Sequence, residues 1–531
     1  MTRVGSAMHY RRLRSSKDHG GRLIDPPLSD VPARLAANRE SARQRQFDLQ
    51  GRSLVSLSAA ARSHVLDAAL GYTSGYRDVA DSLHGSSDPI VMTGHQPELY
   101  HAGVWYKNFV LDSVARDRQA VGINLLIDND TIRQAAVRVP TGNVNAPLVE
   151  WIAFDQMQGE MPFEERRLID PDLFGSFPHR VRAKLFRSID RPLVEQLWPE
   201  AVAASRSNQN LGACLSQSRH QVESAWGLKT LELPWSQVCE GDPFRWFTTT
   251  ILARMREFQQ VYNESLFEYR RVNRVRSQTH PAPPLAADGE WLEAPFWLWS
   301  SADPKRRRLY VRPVRDGIEI TDRQSERHYL SFSPDGSCEV SVEQLRQLSD
   351  QGIKLRSRAL LTTMFARLFL CDLFIHGIGG AKYDQLTDAI IQRYYGFAAP
   401  HFLTVTATAM LPIEHRTVSD SEIRANHLKL RELQFNPQRY LISTPEAASL
   451  VGAKQRLIAT QPPPDRPRER HLQITQLNDA MQPMVEQQRT KLLRERSKLI
   501  EQARIDKTLG SREYSFCLFP EAILRPLLLD I

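Results

Sequence analysis

The chain has 531 residues, of which 41% are hydrophobic and 24% are charged. This is ordinary globular usage, and it excludes a wholly disordered chain, a collagen-like chain and a small disulfide-stabilised protein. Lys and Arg number 69 against 61 Asp and Glu, which gives a net charge of +8. So mild a charge permits an anionic partner but does not say which.

Cysteine usage and the N-terminus bear on the compartment. The five cysteines are widely spaced without a C-x-x-C pair, which favours a reducing compartment over a disulfide framework. Residues 1–30 are polar and basic and lack the apolar core of a secretory signal. No apolar stretch reaches the roughly 18 residues of a transmembrane helix. We therefore expect a cytoplasmic protein with a flexible basic N-terminal arm and no membrane partner.

Residues 31–150 contain a strand–turn–helix–strand pattern. An apolar strand at Ile90–Met92 runs into the turn Thr93-Gly94-His95-Gln96-Pro97, and a helix is predicted from Val104 to about Arg116. A second apolar run from Val121 to Ile127 ends in Asp128-Asn129-Asp130. Continuous apolar strands are typical of a parallel sheet that is covered on both faces.

Residues 151–290 read as an inserted connecting region of mixed structure. Within it, apolar residues recur at three- or four-residue steps from Thr248 to about Val275, which predicts one long amphipathic helix of about 40 Å. The proline-rich segment His280–Pro284 follows and is expected to stop it.

Residues 291–420 repeat the first pattern and predict the second half of one interrupted α/β core. The parts are the strands Leu373–Ile375 and Phe402–Leu411, the turn His376-Gly377-Ile378-Gly379-Gly380 and a helix that ends near Tyr395.

Residues 421–531 are predicted to be helical. Pro462–Pro464 and Pro467 indicate a stiff linker. Apolar residues from Leu472 to Leu499 approximate about four heptads, which predicts a coiled-coil arm. The final apolar stretch, Tyr514–Ile531, is expected to pack back on the body.

The first turn offers candidate ligand-binding groups. Gly94 and Gly103 permit close backbone approach, and the following helix start could hold an anion. His95, His101 and Lys107 could steer a phosphate or transfer a proton. A tight turn with a surface histidine remains the alternative.

The second turn, Gly377–Gly380, lacks both the full dinucleotide fingerprint and the G-K-[ST] of a P-loop. His376, Lys382, Tyr383 and Asp384 flank it and could bind a polar ligand. A plain strand-to-helix connector is an equal alternative.

Asp128 and Asp130 would point to one side if their strand continued. With His95 they could hold a metal or orient an amine, but two carboxylates and distant histidines are no metal signature, so we predict no metal site. Helix capping is the alternative for Asp130.

Trp291–Trp299 and the basic run Lys305–Arg308 could together contact nucleic acid. Without a recognisable motif, we expect buried aromatics and a solvated loop instead, and we do not expect nucleic acid as a partner.

Together these segments resemble bacillithiol synthase, the cysteine-adding enzyme of bacillithiol biosynthesis. The resemblance spans most of the chain and rests on short motifs, namely Thr93-Gly94-His95-Gln96, Ala102-Gly103, Tyr106-Lys107, Asp128-Asn129-Asp130, and Gly377–Gly380 with Tyr383. The chain departs from the family pattern at three positions: His95 replaces Gln, Asn129 replaces His, and Gly380 replaces an acidic residue.

The resemblance implies a Rossmann-like parallel sheet core and a C-terminal coiled-coil arm that can form a homodimer. It also implies a ligase that joins cysteine, or a similar amino acid, to the amine of a glucosaminyl conjugate. An adenine nucleotide is a possible cofactor. The alternative is a nucleotide- or small-anion-binding protein without this catalysis, since the departures remove an imidazole and a carboxylate.

On this interpretation His95 and Asp130 are the candidate catalytic residues. The candidate residues for binding the small-molecule substrate or nucleotide are Gly94, Gln96, His101, Gly103, Lys107, Asp128, His376, Gly377, Gly379, Lys382 and Tyr383.

Overall fold

The computed structural model describes Met8 and residues 13–80, 89–460 and 467–531. About 52% of the chain is helix and 19% is strand, so the protein belongs to the mixed α/β class that the sequence predicts. Among the described residues no helix combines the length and apolarity needed to span a bilayer. The chain forms two compact units. The first holds residues up to 139, 151–410 and 512–531, and the second holds 140–150 and 411–511.

The strands are numbered in chain order. They are β1 (Arg22–Asp25), β2 (Ile90–His95), β3 (Val121–Leu126), β4 (Ala136–Asn143), β5 (Ala146–Ala153), β6 (Leu231–Pro234), β7 (Ala287–Asp288), β8 (Trp291–Ser300), β9 (Asp303–Val314), β10 (Gly317–Thr321), β11 (Arg327–Ser331), β12 (Ile353–Ser357), β13 (Leu373–His376) and β14 (Phe402–Ala407).

The α-helices are numbered in the same way. They are α1 (Val31–Gln44), α2 (Leu54–Ser74), α3 (Ala102–Asp117), α4 (Pro171–Gly175), α5 (Phe177–Lys184), α6 (Val194–Ser207), α7 (Leu211–Ala225), α8 (Trp235–Cys239), α9 (Asp242–Ala253), α10 (Met255–Val272), α11 (Glu339–Asp350), α12 (Ala359–Phe365), α13 (Ile378–Tyr395), α14 (Asp420–Phe435), α15 (Pro445–Ala459), α16 (Pro467–Met481), α17 (Glu486–Leu509) and α18 (Glu521–Leu529).

A six-stranded sheet forms the centre of the first unit, in the order β1-β14-β13-β2-β3-β6. Strands β14, β13, β2, β3 and β6 are parallel, and β1 is antiparallel to β14. The chain first steps outward from β2 to β3 and β6. It then returns to the other side of β2 for β13 and β14, so the winding reverses between β2 and β13.

Helices cover both faces of this sheet. Val121 and Ile123 of β3 belong to the large apolar core that includes α2, α9, α10, α12 and α13. Gly122, on the opposite face, lies against Ala115 and Leu111 of α3, where a β-carbon would come within 3.4 Å of both. Burial on both faces explains the uninterrupted apolar sequence of β3.

Part of the segment that the sequence marks as a flexible arm is ordered. Residues Arg22–Asp25 form the edge strand β1, with Arg22 paired to Ala407 of β14. The sequence did not reveal this strand because it lies at the edge of the sheet, where its side chains are at most partly buried. The basic residues Arg11 and Arg12 lie outside the described residues.

The long helix predicted over Thr248–Val275 is two helices. Helix α9 ends at Ala253 and α10 begins at Met255, with Arg254 between them at φ −105° and ψ 30°. Thr249 and Thr250, in the last turns of α9, donate their hydroxyl hydrogens to carbonyls four residues earlier. Such bonds compete with the helical ladder and bend helices. The apolar period continues across the break, so periodicity alone does not reveal it.

A second, antiparallel sheet has the order β11-β10-β9-β8-β12, and β7 pairs with β8. The aromatic segment forms β8, in which Phe296 and Trp299 are fully buried, as expected. The basic run lies in β9 rather than in a loop. There Arg307 pairs with Asp303 at 2.6 Å and Arg308 with Glu293 at 3.2 Å, so carboxylates neutralise these charges.

The second unit contains α14, α15, α16 and α17. The heptad pattern predicted one continuous helix from Leu472 to Leu499, but a 3₁₀ turn at Gln482–Val485 separates α16 from α17. Pro483 explains the interruption because proline has no amide hydrogen to donate within a helix. The predicted linker at Pro462–Pro464 lies outside the described residues, and Pro467 opens α16.

The last twenty residues belong to the first unit. Tyr514, Phe516 and Leu518 have no exposed surface. The ring of Phe516 lies 4.3 Å from that of Trp105 on α3. This confirms the prediction that the apolar C-terminal stretch packs back on the body.

Candidate functional site

The two predicted turns leave neighbouring strands at the carboxyl edge of the parallel sheet. Thr93 of β2 pairs with Ile375 of β13, and its hydroxyl donates to the Ile375 carbonyl at 2.7 Å. The winding of the sheet reverses between these two strands. In open α/β sheets, a reversal opens a crevice at the carboxyl ends of the strands, and ligands bind there.

Lys107 of α3 connects the two turns. Its Nζ donates to the Gly94 carbonyl at 2.6 Å, and its Cδ lies 3.8 Å from the position that a β-carbon on Gly377 would take. The side chain is buried, and burial together with the charge of Arg219 lowers the pKa of Lys107 to about 7. Near neutral pH a large fraction of this amine is therefore unprotonated and able to accept a proton.

His95 lies on the α3 side of the crevice and is half-buried. Its Nδ1 lies 3.3 Å from the Gln96 carbonyl, which can only accept, and its ring packs edge-on against Tyr100 at 4.8 Å. Burial, followed by the charge of Lys107, lowers the pKa of His95 well below the usual histidine value. A neutral imidazole with Nδ1 protonated keeps Nε2 as a proton acceptor.

Asp130 is held at the end of β3 by groups from two other elements. It accepts from Gln96 Nε2 at 2.7 Å and pairs with Arg306 of β9 at 2.9 Å, while its side chain remains 35% exposed. Asn129, beside it, is buried and donates to the Ser357 carbonyl at 2.9 Å. The crevice therefore presents Gln96 and Asp130, whereas Asn129 acts in packing.

Asp128 points away from Asp130, contrary to the expectation for a continuing strand. Strand β3 ends at Leu126, and Asp128 accepts from the Ser236 backbone N–H at 2.8 Å and from its hydroxyl at 2.5 Å. It therefore caps the start of α8. Burial and the neighbouring Glu164 carboxylate raise the pKa of Asp128 to about 7.

His101 and Gly103 have structural roles here, in contrast to the predicted ligand contacts. His101 is the N-cap of α3, where its Nδ1 accepts from the Gly103 N–H at 3.1 Å. A β-carbon on Gly103 would lie 2.4 Å from the Ala407 carbonyl oxygen and 2.8 Å from Thr406 Oγ1. The glycine therefore lets α3 approach β14 rather than shaping a pocket.

His376 lies at the end of β13 but on the opposite face of the sheet from His95. Its Nε2 lies 2.7 Å from Asp384 Oδ2, and the ring sits between Phe374 and Phe402. Asp384 also accepts from Arg367 at 2.6 Å. Although burial opposes ionisation, the Arg367 and His376 partners hold the pKa of Asp384 far below the usual range.

The glycine turn opens helix α13. Gly377 is its N-cap and, having no side chain, makes no capping bond, while a β-carbon on Gly379 would meet nothing within 4 Å. Lys382 is exposed on the first turns of this helix. Burial, and then the carboxylates of Asp384 and Asp130, raise the pKa of Tyr383. The influence of Asp130 places Tyr383 near the end of β3.

A buried cluster beneath α3 was missed from the sequence. Glu223 Oε1 accepts from Trp105 at 2.5 Å, and Arg219 pairs with both Glu223 and Glu232. With His220 these carboxylates form a group whose candidate ligand atoms lie within 4.8 Å of one another. Because the guanidinium of Arg219 already pairs with both carboxylates, a divalent cation at this cluster would meet a fixed positive charge.

Only the pair Arg219 and Glu223 carries a local sequence signal, the four-residue spacing of a helical ion pair. Glu232 lies on β6, and its role depends on tertiary packing. Comparison of the chain with protein-family models and with curated proteins gives no match.

Proposed function

We propose that this protein is a ligase similar to bacillithiol synthase, which joins an amino acid such as cysteine to the amine of a sugar conjugate. The observation that carries the proposal is Lys107, a buried amine whose pKa of about 7 suits proton transfer and which lies between Gly94 and Gly377. Gly94 and Gly377, from the two turns that resemble the family pattern, thus both lie beside one group that can donate or accept a proton.

The strand order of the central sheet supports the fold that this proposal requires. Counted in chain order, its five parallel strands are arranged 3-2-1-4-5, the order of Rossmann-like domains. The predicted Rossmann-like core is consistent with this order, and the turns at Gly94 and Gly377 follow the two strands between which the winding reverses.

In the proposed reaction the substrate amine arrives as an ammonium ion near Asp130, whose exposed carboxylate can hold it in place, and His95 Nε2 accepts the proton that this nitrogen must lose before it attacks. Amide formation from a free carboxylate needs activation, and an adenine nucleotide is the candidate activating cofactor. Lys382 and the open start of α13 offer groups that attract its phosphates.

Two further expectations accompany the proposal. We expect a homodimer formed through the helices of the second unit. We also expect a cytoplasmic location, which the free thiols of all five cysteines support because such thiols persist in a reducing compartment.

The test is incubation of the purified protein with glucosaminyl malate, cysteine and ATP, followed by mass spectrometry for a thiol conjugate. We expect conjugate with the wild-type chain and a loss of about 100-fold or more with Asp130→Asn, in keeping with the loss of a positioned carboxylate. Asp128→Asn, which alters a carboxylate turned toward α8, is the matched control. Absence of conjugate from verified folded protein contradicts the ligase assignment.

The second candidate is a nucleotide- or small-anion-binding protein without ligase activity. The observation that favours it is the start of α13, where no side chain caps the helix and Gly379 leaves open space. Calorimetry with ATP, ADP and nucleotide sugars tests it, and a lack of heat with all three defeats it. Binding without conjugate formation favours it over the ligase.

A further inference from the structure

His376 and Asp384 form a buried carboxylate–imidazole pair on the α13 side of the crevice. The Nε2–Oδ2 distance is 2.7 Å, and His376 is only 4% exposed. Asp384 is fixed by two additional donors, Arg367 at 2.6 Å and the Thr363 hydroxyl at 2.6 Å. An ionised carboxylate only accepts, so Nε2 carries a hydrogen, and whenever the ring is neutral its lone pair is on Nδ1.

Nδ1 of His376 has no hydrogen-bond partner among the described residues. It faces Gly380 in the first turn of α13, where a β-carbon would lie 2.7 Å from Nδ1. Any other residue at position 380 would therefore cover this nitrogen. The glycine that departs from the acidic residue of the family pattern is what keeps Nδ1 uncovered.

Groups that stabilise negative charge lie beside this nitrogen. The first backbone N–H groups of a helix have no acceptor within the helix, and Gly377 supplies no side-chain cap to α13. Gly379, in the same turn, is exposed. A proton acceptor next to free amide donors is the combination that acyl transfer uses, with the amides holding the oxyanion.

We propose that His376, oriented by Asp384, is a catalytic base whose Nδ1 takes the proton from the nucleophile, and that the first turn of α13 holds the oxyanion. This inference rests on the proposed C–N bond-forming activity and adds the group that moves the proton on this face of the sheet. Asp384 is a positioning residue because it acts through the imidazole.

The step requires an activated acyl donor, such as an acyl phosphate. The amine nitrogen attacks the carbonyl carbon, the C–N bond forms, and the carbonyl π electrons move to the oxygen beside α13. Nδ1 accepts the N–H proton. When the carbonyl re-forms, the bond to the phosphate oxygen breaks, the phosphate leaves with the electron pair, and the imidazolium returns its proton to solvent or to the phosphate.

Two alanine variants on the same helical turn test access to Nδ1. Gly380→Ala places a methyl group against Nδ1, whereas Gly379→Ala places one where nothing lies within 4 Å. Diethyl pyrocarbonate acylates unprotonated, accessible imidazole nitrogens, and peptide mapping reports each histidine separately. His415, with both ring nitrogens engaged by Ile413 and Asp506, is the internal control.

We expect labelling of His376 in the wild-type chain at least about five times faster than that of His415. Gly380→Ala should slow it about tenfold, and Gly379→Ala should leave it within about twofold, with melting temperatures of all three chains compared. Failure to label wild-type His376, or equal labelling in the Gly380→Ala variant, overturns the proposal.

These measurements need no substrate, so their failure is distinct from failure of the ligase assay. Where conjugate forms, His376→Gln should lower kcat by about 100-fold or more with KM within about threefold. Asp384→Asn should lower kcat and alter its pH profile. Unchanged kcat in His376→Gln overturns the catalytic role.

Discussion

The side chain of Lys107 has few groups to compensate its charge. The Gly94 carbonyl accepts one of its hydrogens, and Arg219 lies near enough to disfavour a second positive charge. Burial and the charge of Arg219 both disfavour the protonated form, and they bring the pKa of Lys107 to about 7. The same lysine on the surface would remain charged throughout the physiological pH range.

Lys107→Arg therefore replaces a switchable amine by a permanent cation. We expect the wild-type rate of conjugate formation to rise with pH through about 7, because the unprotonated amine is the active form. The variant should lose about 100-fold or more in kcat/KM and show no such rise. Rates measured between pH 5.5 and 8.5 check this, and a variant with the wild-type profile contradicts the role of Lys107.

The buried pairing of Arg219 also predicts a stability effect. Arg219→Gln leaves the buried carboxylates of Glu223 and Glu232 without their guanidinium partner. Removing one partner of a buried ion pair costs about 3–5 kcal/mol, which should appear as a clear fall in melting temperature. Glu200→Gln, at an exposed position, is the control and should change stability by less than about 0.5 kcal/mol. Equal melting temperatures for the two variants would show that the pairing does not stabilise the fold.

At the scale of elements, α3 depends on the absence of a side chain at Gly103. A β-carbon there would lie 2.4 Å from the Ala407 carbonyl oxygen, and backbone cannot easily withdraw. Gly103→Ala should therefore destabilise the protein by about 1–3 kcal/mol, as overpacking does. Gly71→Ala in α2 meets nothing within 4 Å and should instead stabilise the helix by about 0.5–1 kcal/mol. If Gly103→Ala and Gly71→Ala shift the melting temperature in the same direction, the close contact between α3 and β14 does not have the expected effect on stability.

Strands β2, β3 and β13 were predictable from their apolar runs, whereas β6, which is short and contains Glu232, was not predicted. The two turns were predictable as neighbours because parallel strands share one carboxyl edge. The direction of each side chain was not, since it depends on partners remote in sequence. Asp128 caps α8 through Ser236, and Asp130 meets Arg306 of the second sheet. No local spacing encodes such contacts.

The sequence also overstated the continuity of helices. Apolar periodicity persists through Arg254 and through Pro483, although the backbone breaks at both. At Pro483 the sequence does contain the signal, a proline within a heptad pattern. At Arg254 the cause lies in threonine-to-backbone bonds of the folded helix, which composition alone does not specify.

For the whole molecule, Asp128 and Lys107 give opposite dependences of stability on pH. The folded chain keeps a proton on Asp128 up to about pH 7, whereas an unfolded chain releases it near pH 4. The contribution of Asp128 is thus present at low pH and is lost as the pH rises to 7. The contribution of Lys107 is present at high pH and is lost as the pH falls from about 10 to 7.

Asp128→Asn should remove the loss of folding stability that Asp128 causes as the pH rises from about 4 to 7. At roughly 1.4 kcal/mol for each pKa unit, the wild-type loss between pH 4 and 7 is at most about 4 kcal/mol from this group. Melting temperatures of both chains at pH 5 and pH 7.5 check it, and the wild-type chain should fall further than the variant. If the melting temperatures of the wild-type chain and the variant fall by the same amount between pH 5 and pH 7.5, Asp128 does not titrate in this range.

The first and last described segments of the chain meet in the same unit. Strand β1 pairs with β14, and Arg22 donates to the Leu527 carbonyl at 2.9 Å across more than 500 residues. Strand β2 therefore lacks its neighbour β13, and helix α3 lacks its contact with Phe516, until those later segments have been synthesised. Contacts between segments this far apart in sequence slow folding, so the parallel sheet is expected to be completed late.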